Sequence, residues 1–118
     1  MSQLMPLDIV DEVREVLLRA RKGKGDRPNF LTAYQILDRL PPATRDRLIA
    51  ERTGGGTGEG TMFGAPSVVS KAARLVPGIV IEYMDSLGLS VQIGGQPVTP
   101  SYEVCGLYRL ALIDEAVA

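Results

Sequence analysis

The sequence predicts an α+β fold in which an N-terminal helical bundle of about four helices is followed by a small antiparallel β-sheet or hairpin. Before residue 77, apolar residues recur in several stretches at three- and four-residue spacing, as on the buried face of a helix. After Pro77-Gly78 the pattern changes to β-branched runs and alternation, the mark of strands with one covered face. The chain has 118 residues, 45% apolar and 23% charged, enough for one core without disulfides or metal. Residues 1–118 are therefore read as a single domain.

The first helix is expected from residue 8 to about 22, where Ile9, Val10, Val13, Val16, Leu17 and Ala20 make one apolar stripe. Asp8, Asp11 and Glu12 in its first turn and Arg19, Arg21 and Lys22 in its last complement the helix dipole. Glu15 and Arg19 form an i,i+4 pair, and Gly23 ends the helix. The second begins at Thr32-Ala33-Tyr34-Gln35, a capping box flanked by Leu31 and Ile36 at the hydrophobic-staple positions. It closes before Pro41, since a residue preceding proline is pushed out of the helical region.

Pro42 suits the first position of a third helix running to about residue 52, with few apolar residues: Ala43, Leu48, Ile49 and Ala50. Residues 53–65 include Gly54, Gly55, Gly56, Gly58 and Gly60 and read as a flexible loop within the domain. Ser67 after Pro66 is the expected cap of a short fourth helix that buries Val68, Val69, Ala72, Ala73 and Val76. Three antiparallel strands are expected at residues 79–83, 89–93 and 102–109. Ser86-Leu87-Gly88 would join the first two, Gly94-Gly95 begins a turn, and Pro97 and Pro100 confine the next stretch to an edge or loop.

The chemistry-bearing residues point away from catalysis. There is no histidine, which removes Ser-His-Asp and Cys-His pairs and most zinc sites. Cys105 stands alone in an alternating strand and reads as a small buried hydrophobe. Ser67 and Ser70 have the wrong spacing to Lys71 for a Ser-x-x-Lys nucleophile, and a cap plus a solvated lysine explain them. Gly55 to Thr61 imitates P-loop glycine spacing but has Thr61 where the lysine belongs and follows a helix rather than a strand. The expectation is a protein that is not an enzyme, with no cofactor and no metal.

Charge is the more informative feature. The net charge is −1, so bulk electrostatics announces no polyanion binder. The cations are nevertheless concentrated in the first half, above all Arg19, Arg21, Lys22, Lys24 and Arg27, opposed within that stretch only by Asp26. Gly23 and Gly25 allow this stretch to adapt to a ligand, although dipole-complementing bases on a solvated loop are the plainer account.

At the level of architecture, the two short helices around Leu40-Pro41-Pro42 in residues 31–52, followed by C-terminal strands as a wing, resemble winged helix-turn-helix domains. The resemblance implies a groove-reading helix and a wing that touches phosphate. In the third helix, Arg45, Leu48, Ile49 and Arg52 share one side, and Thr44, Asp46, Arg47 and Glu51 make a face of mixed sign. The wing tip, residues 94–100, has no cation. If the fourth helix is the reader instead, Lys71 and Arg74 lie three apart and share an outward face.

The leading expectation is a non-enzymatic, winged-helix-like binding protein that contacts DNA through Arg19, Arg21, Lys22, Lys24 and Arg27, assisted by Lys71 and Arg74. The alternative is a protein-interaction adaptor or homodimer joined through the C-terminal β edge, with Val98 and Tyr102 as apolar anchors. A weaker third reading is phosphate-ligand binding by the glycine-rich loop. No run approaches the ~18 apolar residues of a membrane span, and the N-terminus lacks a signal-peptide pattern, so a cytoplasmic, membrane-free protein is expected.

Overall fold

The computed structural model describes residues 3–20, 29–52, 64–100 and 104–111. Among these, four α-helices and small antiparallel sheets make a mixed α+β globule. No described helix is long and apolar enough to cross a membrane.

The chain first winds a 3-10 turn over Pro6–Ile9, then α1 over Val10–Ala20. This differs from a helix starting at Asp8. The Asp8 carboxylate accepts the Met5 N–H at 2.7 Å and the Asp8 N–H returns to the Met5 carbonyl at 2.9 Å, which tightens the first turn. Ile9, Val13, Val16, Leu17 and Ala20 are buried, as their spacing demands. The Ala20 carbonyl accepts both the backbone N–H and the side-chain amide of Asn29, so the chain returns to the end of α1 after residues 21–28. The expected helix end at Lys22 and Gly23 lies outside the described residues.

A two-residue strand, β1 (Leu31–Thr32), precedes α2 (Ala33–Arg39). Thr32 caps α2 as its sequence requires: its Oγ1 accepts the Gln35 N–H at 3.1 Å, and Gln35 Oε1 accepts the Thr32 N–H at 2.8 Å. Leu40, with ψ of 158°, is already extended ahead of Pro41. Helix α3 (Pro42–Arg52) then begins on Pro42, and only Leu48 in it is fully buried.

Polar bonds replace the packing that α3 lacks. Thr44 donates to Glu12 at 2.7 Å, Leu4 N–H to Glu51 at 2.8 Å, and Arg52 to the Leu4 carbonyl at 2.7 Å.

Helix α4 spans Gly64–Arg74 and so begins three residues before the expected cap. Ser67 is therefore inside the helix. Pro66 does not prevent this, because backbone N–H groups of a first turn have no intrahelical partner to lose. Gly64 lies against Arg52, so the chain leaves α3 and rejoins at α4 at adjacent points. Apart from Gly64 and Ala65, which belong to α4, the expected glycine-rich loop lies outside the described residues. Ala65, Val68, Val69, Ala72, Ala73 and Val76 are buried, and α1, α2, α3 and the 3-10 turn all pack on α4.

The strands are β2 (Ile79–Asp85), β3 (Val91–Ile93), β4 (Gln96–Val98) and β5 (Val104–Leu110). Their pairing corrects the expected order. β2 does not pair with β3; it pairs antiparallel with β5, which also pairs with β1, giving the order β1-β5-β2 with Leu31 and Ile81 both opposite Tyr108. β3 and β4 form a separate hairpin around Gly94 and Gly95, whose φ values of 58° and 82° provide the twist of a tight turn.

The cause lies at both ends of the connection. Asp85 accepts the Leu87 N–H at 2.9 Å and Ser86 accepts the Leu89 N–H at 3.0 Å, turning the chain out of β2. The hairpin then docks on α2, burying Ile93 and bonding the Gly94 N–H to Asp38 at 2.8 Å.

Glu51 is the polar hinge of the N-terminal contact. The Leu4 N–H, and secondly Arg47 at 2.7 Å, hold its carboxyl below the ordinary carboxylate range. A depressed folded-state pKa contributes stability that is present above the unfolded value of ~4.3 and is lost as pH falls through the folded value. Urea denaturation from pH 6 down to pH 3 is expected to show a shallower acid decline for Glu51→Gln than for the wild type. An identical decline would show that this carboxylate does not contribute.

Candidate functional site

Ser67, Ser70, Lys71 and Arg74 recur at i, i+3, i+4 and i+7, so they share one side of α4. The buried Ala and Val stripe occupies the other side. The polar side faces a cavity of about 460 Å³, lined across from the helix by residues of β2 and β5 and by Ala33 and Tyr34 of α2. Antiparallel register puts Tyr83 opposite Gly106 and Ile81 opposite Tyr108, so Tyr83 and Tyr108 emerge on the same face of the sheet.

Tyr108 joins the sheet to the helix. Its ring is 2% exposed and its hydroxyl hydrogen-bonds the Ser70 hydroxyl. Gly106 makes that path available: a Cβ at position 106 would stand 2.6 Å from the Tyr108 hydroxyl and 2.9 Å from its Cζ. The glycine is thus a place for a tyrosine to lie.

Two cations stand at the mouth. Lys71 and Arg74 are both exposed, and among the described residues neither forms an ion pair. Arg74 lines the cavity together with Tyr83 and Tyr108, and its interaction with Tyr83, followed by the electrostatic influence of Tyr108, raises its pKa above the ordinary arginine value. No described carboxylate lines the cavity. Tyr83 and Val104, each more than half exposed, form an apolar lip beside Leu87.

Cys105 lines the same cavity, and burial pushes its thiol pKa up, away from the thiolate needed for nucleophilic attack.

Of the residues singled out in the sequence, Lys71 and Arg74 are brought together here. Arg19 is exposed at the end of α1 and does not line the cavity. Arg21, Lys22, Lys24 and Arg27 lie outside the described residues. On the opposite face of the sheet, Arg109 sits 5.1 Å over the Phe30 ring. Sequence reasoning missed Tyr83, Tyr108 and Gly106 as site residues. A usable signal was present in the Gly106-x-Tyr108 spacing, since residues two apart in a strand share a face.

Comparison with family models, curated proteins and solved structures yields no match for this chain.

Gly106→Ala is expected to cost about 1–3 kcal/mol in urea denaturation, because the added methyl displaces a buried ring. The same substitution is expected to cost less in a Tyr108→Leu background. Additive costs would show that the Tyr108 ring is not the obstacle. Cys105 is expected to react with a disulfide reagent at pH 7.5 more slowly in the folded protein than in guanidinium. Equal rates would contradict a suppressed thiol.

Proposed function

We propose that this chain is a non-enzymatic binding domain of winged-helix build that contacts duplex nucleic acid. In this reading the exposed cations at the end of α4, Lys71 and Arg74, are the phosphate contacts. Arg19, Arg21, Lys22, Lys24 and Arg27 assist them.

The observation that carries the reading is the order of elements around α4. The order is a helix, a short strand, three further helices, then the long strands β2 and β5 separated by the β3–β4 hairpin, with β1 paired to β5 in the sheet order β1-β5-β2; this order supports the winged-helix reading. Helix α4 directly precedes β2, where the reading helix of such a domain belongs. Its exposed cations have no described carboxylate neighbour lining the cavity.

Helix α3 suits that role less well, because Arg45 pairs with Asp46 at 3.0 Å and Arg47 with Glu51 at 2.7 Å. The β3–β4 hairpin is also a poor wing tip. Its turn is bonded to Asp38, and residues 94–100 contain no cation. Backbone contact therefore falls to α4 and the basic stretch, and affinity is expected to be modest and steeply salt-dependent.

A second reading, self-association or a protein partner, is favoured by β2, which occupies the outer position of its sheet and leaves one edge unpaired among the described residues.

Fluorescence anisotropy with a labelled random duplex should show binding at low salt that weakens as salt rises, and weaker binding for both Lys71→Glu/Arg74→Glu and Arg21→Glu/Lys22→Glu/Lys24→Glu. No binding at low salt would refute the nucleic-acid reading. A concentration-dependent dimer in sedimentation equilibrium would then favour the second.

A further inference from the structure

We propose that the cavity between α4 and the strands β2 and β5 binds a small planar organic anion, an aromatic ring carrying a carboxylate or a phosphate. Its volume, about 460 Å³, lies within the ~300–1,000 Å³ typical of small-ligand sites. The walls divide by chemistry. One is the hydroxyl and cation face of α4, with Ser67, Ser70, Lys71 and Arg74; the other is the aromatic and apolar end of the sheet, with Tyr83 and Val104.

The polar wall is rich in donors. In the Ser70–Tyr108 pair one hydroxyl donates to the other, which leaves the second hydroxyl proton free to donate. Tyr83 lines the same cavity as Arg74 and brings a further hydroxyl donor to it. The Lys71 ammonium adds a point charge, and the Arg74 fork matches the two oxygens of a carboxylate or phosphate. No described carboxylate in the lining competes for these donors.

The rest of the ligand is indicated by what is exposed. Tyr83 is 59% exposed and Val104 56%, which leaves apolar surface uncovered beside the two cations. An aromatic ring stacked on Tyr83 would cover that surface while its anionic group meets Arg74 and Lys71. Inorganic phosphate would satisfy only the polar wall, and a neutral aromatic only the apolar one. Tyr108 is held by Ser70 and by the space over Gly106, so the floor is built before a ligand arrives.

This inference does not depend on nucleic-acid binding, and the test needs no nucleic acid. Amide chemical shifts of the full chain would be followed while titrating 4-hydroxybenzoate, phenyl phosphate, inorganic phosphate or neutral 4-hydroxybenzamide. At least one ring-bearing anion should give saturable shifts in residues 67–74, 83 and 104–108. Phosphate and the neutral amide should bind roughly 10-fold more weakly, as expected when a charge-assisted contact or the ring's burial is missing. Arg74→Gln and Tyr83→Ala should each weaken the anion by a similar ~10-fold while the remaining spectrum stays in place. The proposal is overturned if neither ring-bearing anion saturates these shifts by about 10 mM. It is equally overturned if phosphate alone binds as tightly, or if Arg74→Gln leaves affinity unchanged.

Discussion

Helix α4 places Ala65, Val68, Val69, Ala72 and Ala73 on one nearly solvent-free stripe, continued by Val76 just past its end, and α1, α2 and α3 all lean on it. The side chains are small. Axes can approach more closely when contact positions carry alanine and valine, and close approach is what lets so short a helix be surrounded. Bulkier residues there would push α1, α2 and α3 apart and open the core to which Leu17, Ile36, Leu37 and Leu48 contribute.

The same constraint determines what α4 shows to the outside. Because its apolar stripe is spent on the core, the residues left for the opposite side are Ser67, Ser70, Lys71 and Arg74, and these meet the sheet across a cavity. Tyr108 is the link between the two layers. It is opposite Leu31 on one side and Ile81 on the other, lies over Gly106, and ends on Ser70. The central strand thus positions the helix's polar face as well as the core, and the cations sit at the boundary between a packed floor and solvent.

Where hydrophobic periodicity is thin, polar bonds settle the arrangement. Helix α3 has one fully buried side chain, yet Glu51, Arg52 and Thr44 tie it to the N-terminal segment and to α1. The β3–β4 hairpin has three-residue strands, too short to stand alone, and gains support from the burial of Ile93 and the Asp38 bond to Gly94. Each bond makes a modest net contribution, somewhat larger where a charge takes part. Their effect is to choose between packings of similar hydrophobic energy.

The sequence by itself determined the helical stretches, the bounds of α2 and α3, and the change to strands after Gly78. Those features depend on contacts within one or two turns: the Thr32–Gln35 box, Pro41 and Pro42, and the buried stripes of α1 and α4. It also marked Lys71 and Arg74 as neighbours, since three residues on a helix is one turn. Only the tertiary structure decided that β2 pairs with β5 rather than β3, that two residues at Leu31–Thr32 form a strand, and that Tyr83, Gly106 and Tyr108 belong to the same site as Ser70. The physical reason is that a strand's hydrogen-bonding edge is indifferent to sequence distance. Its partner is chosen by where the core leaves an edge uncovered, and no local pattern in the chain records that choice.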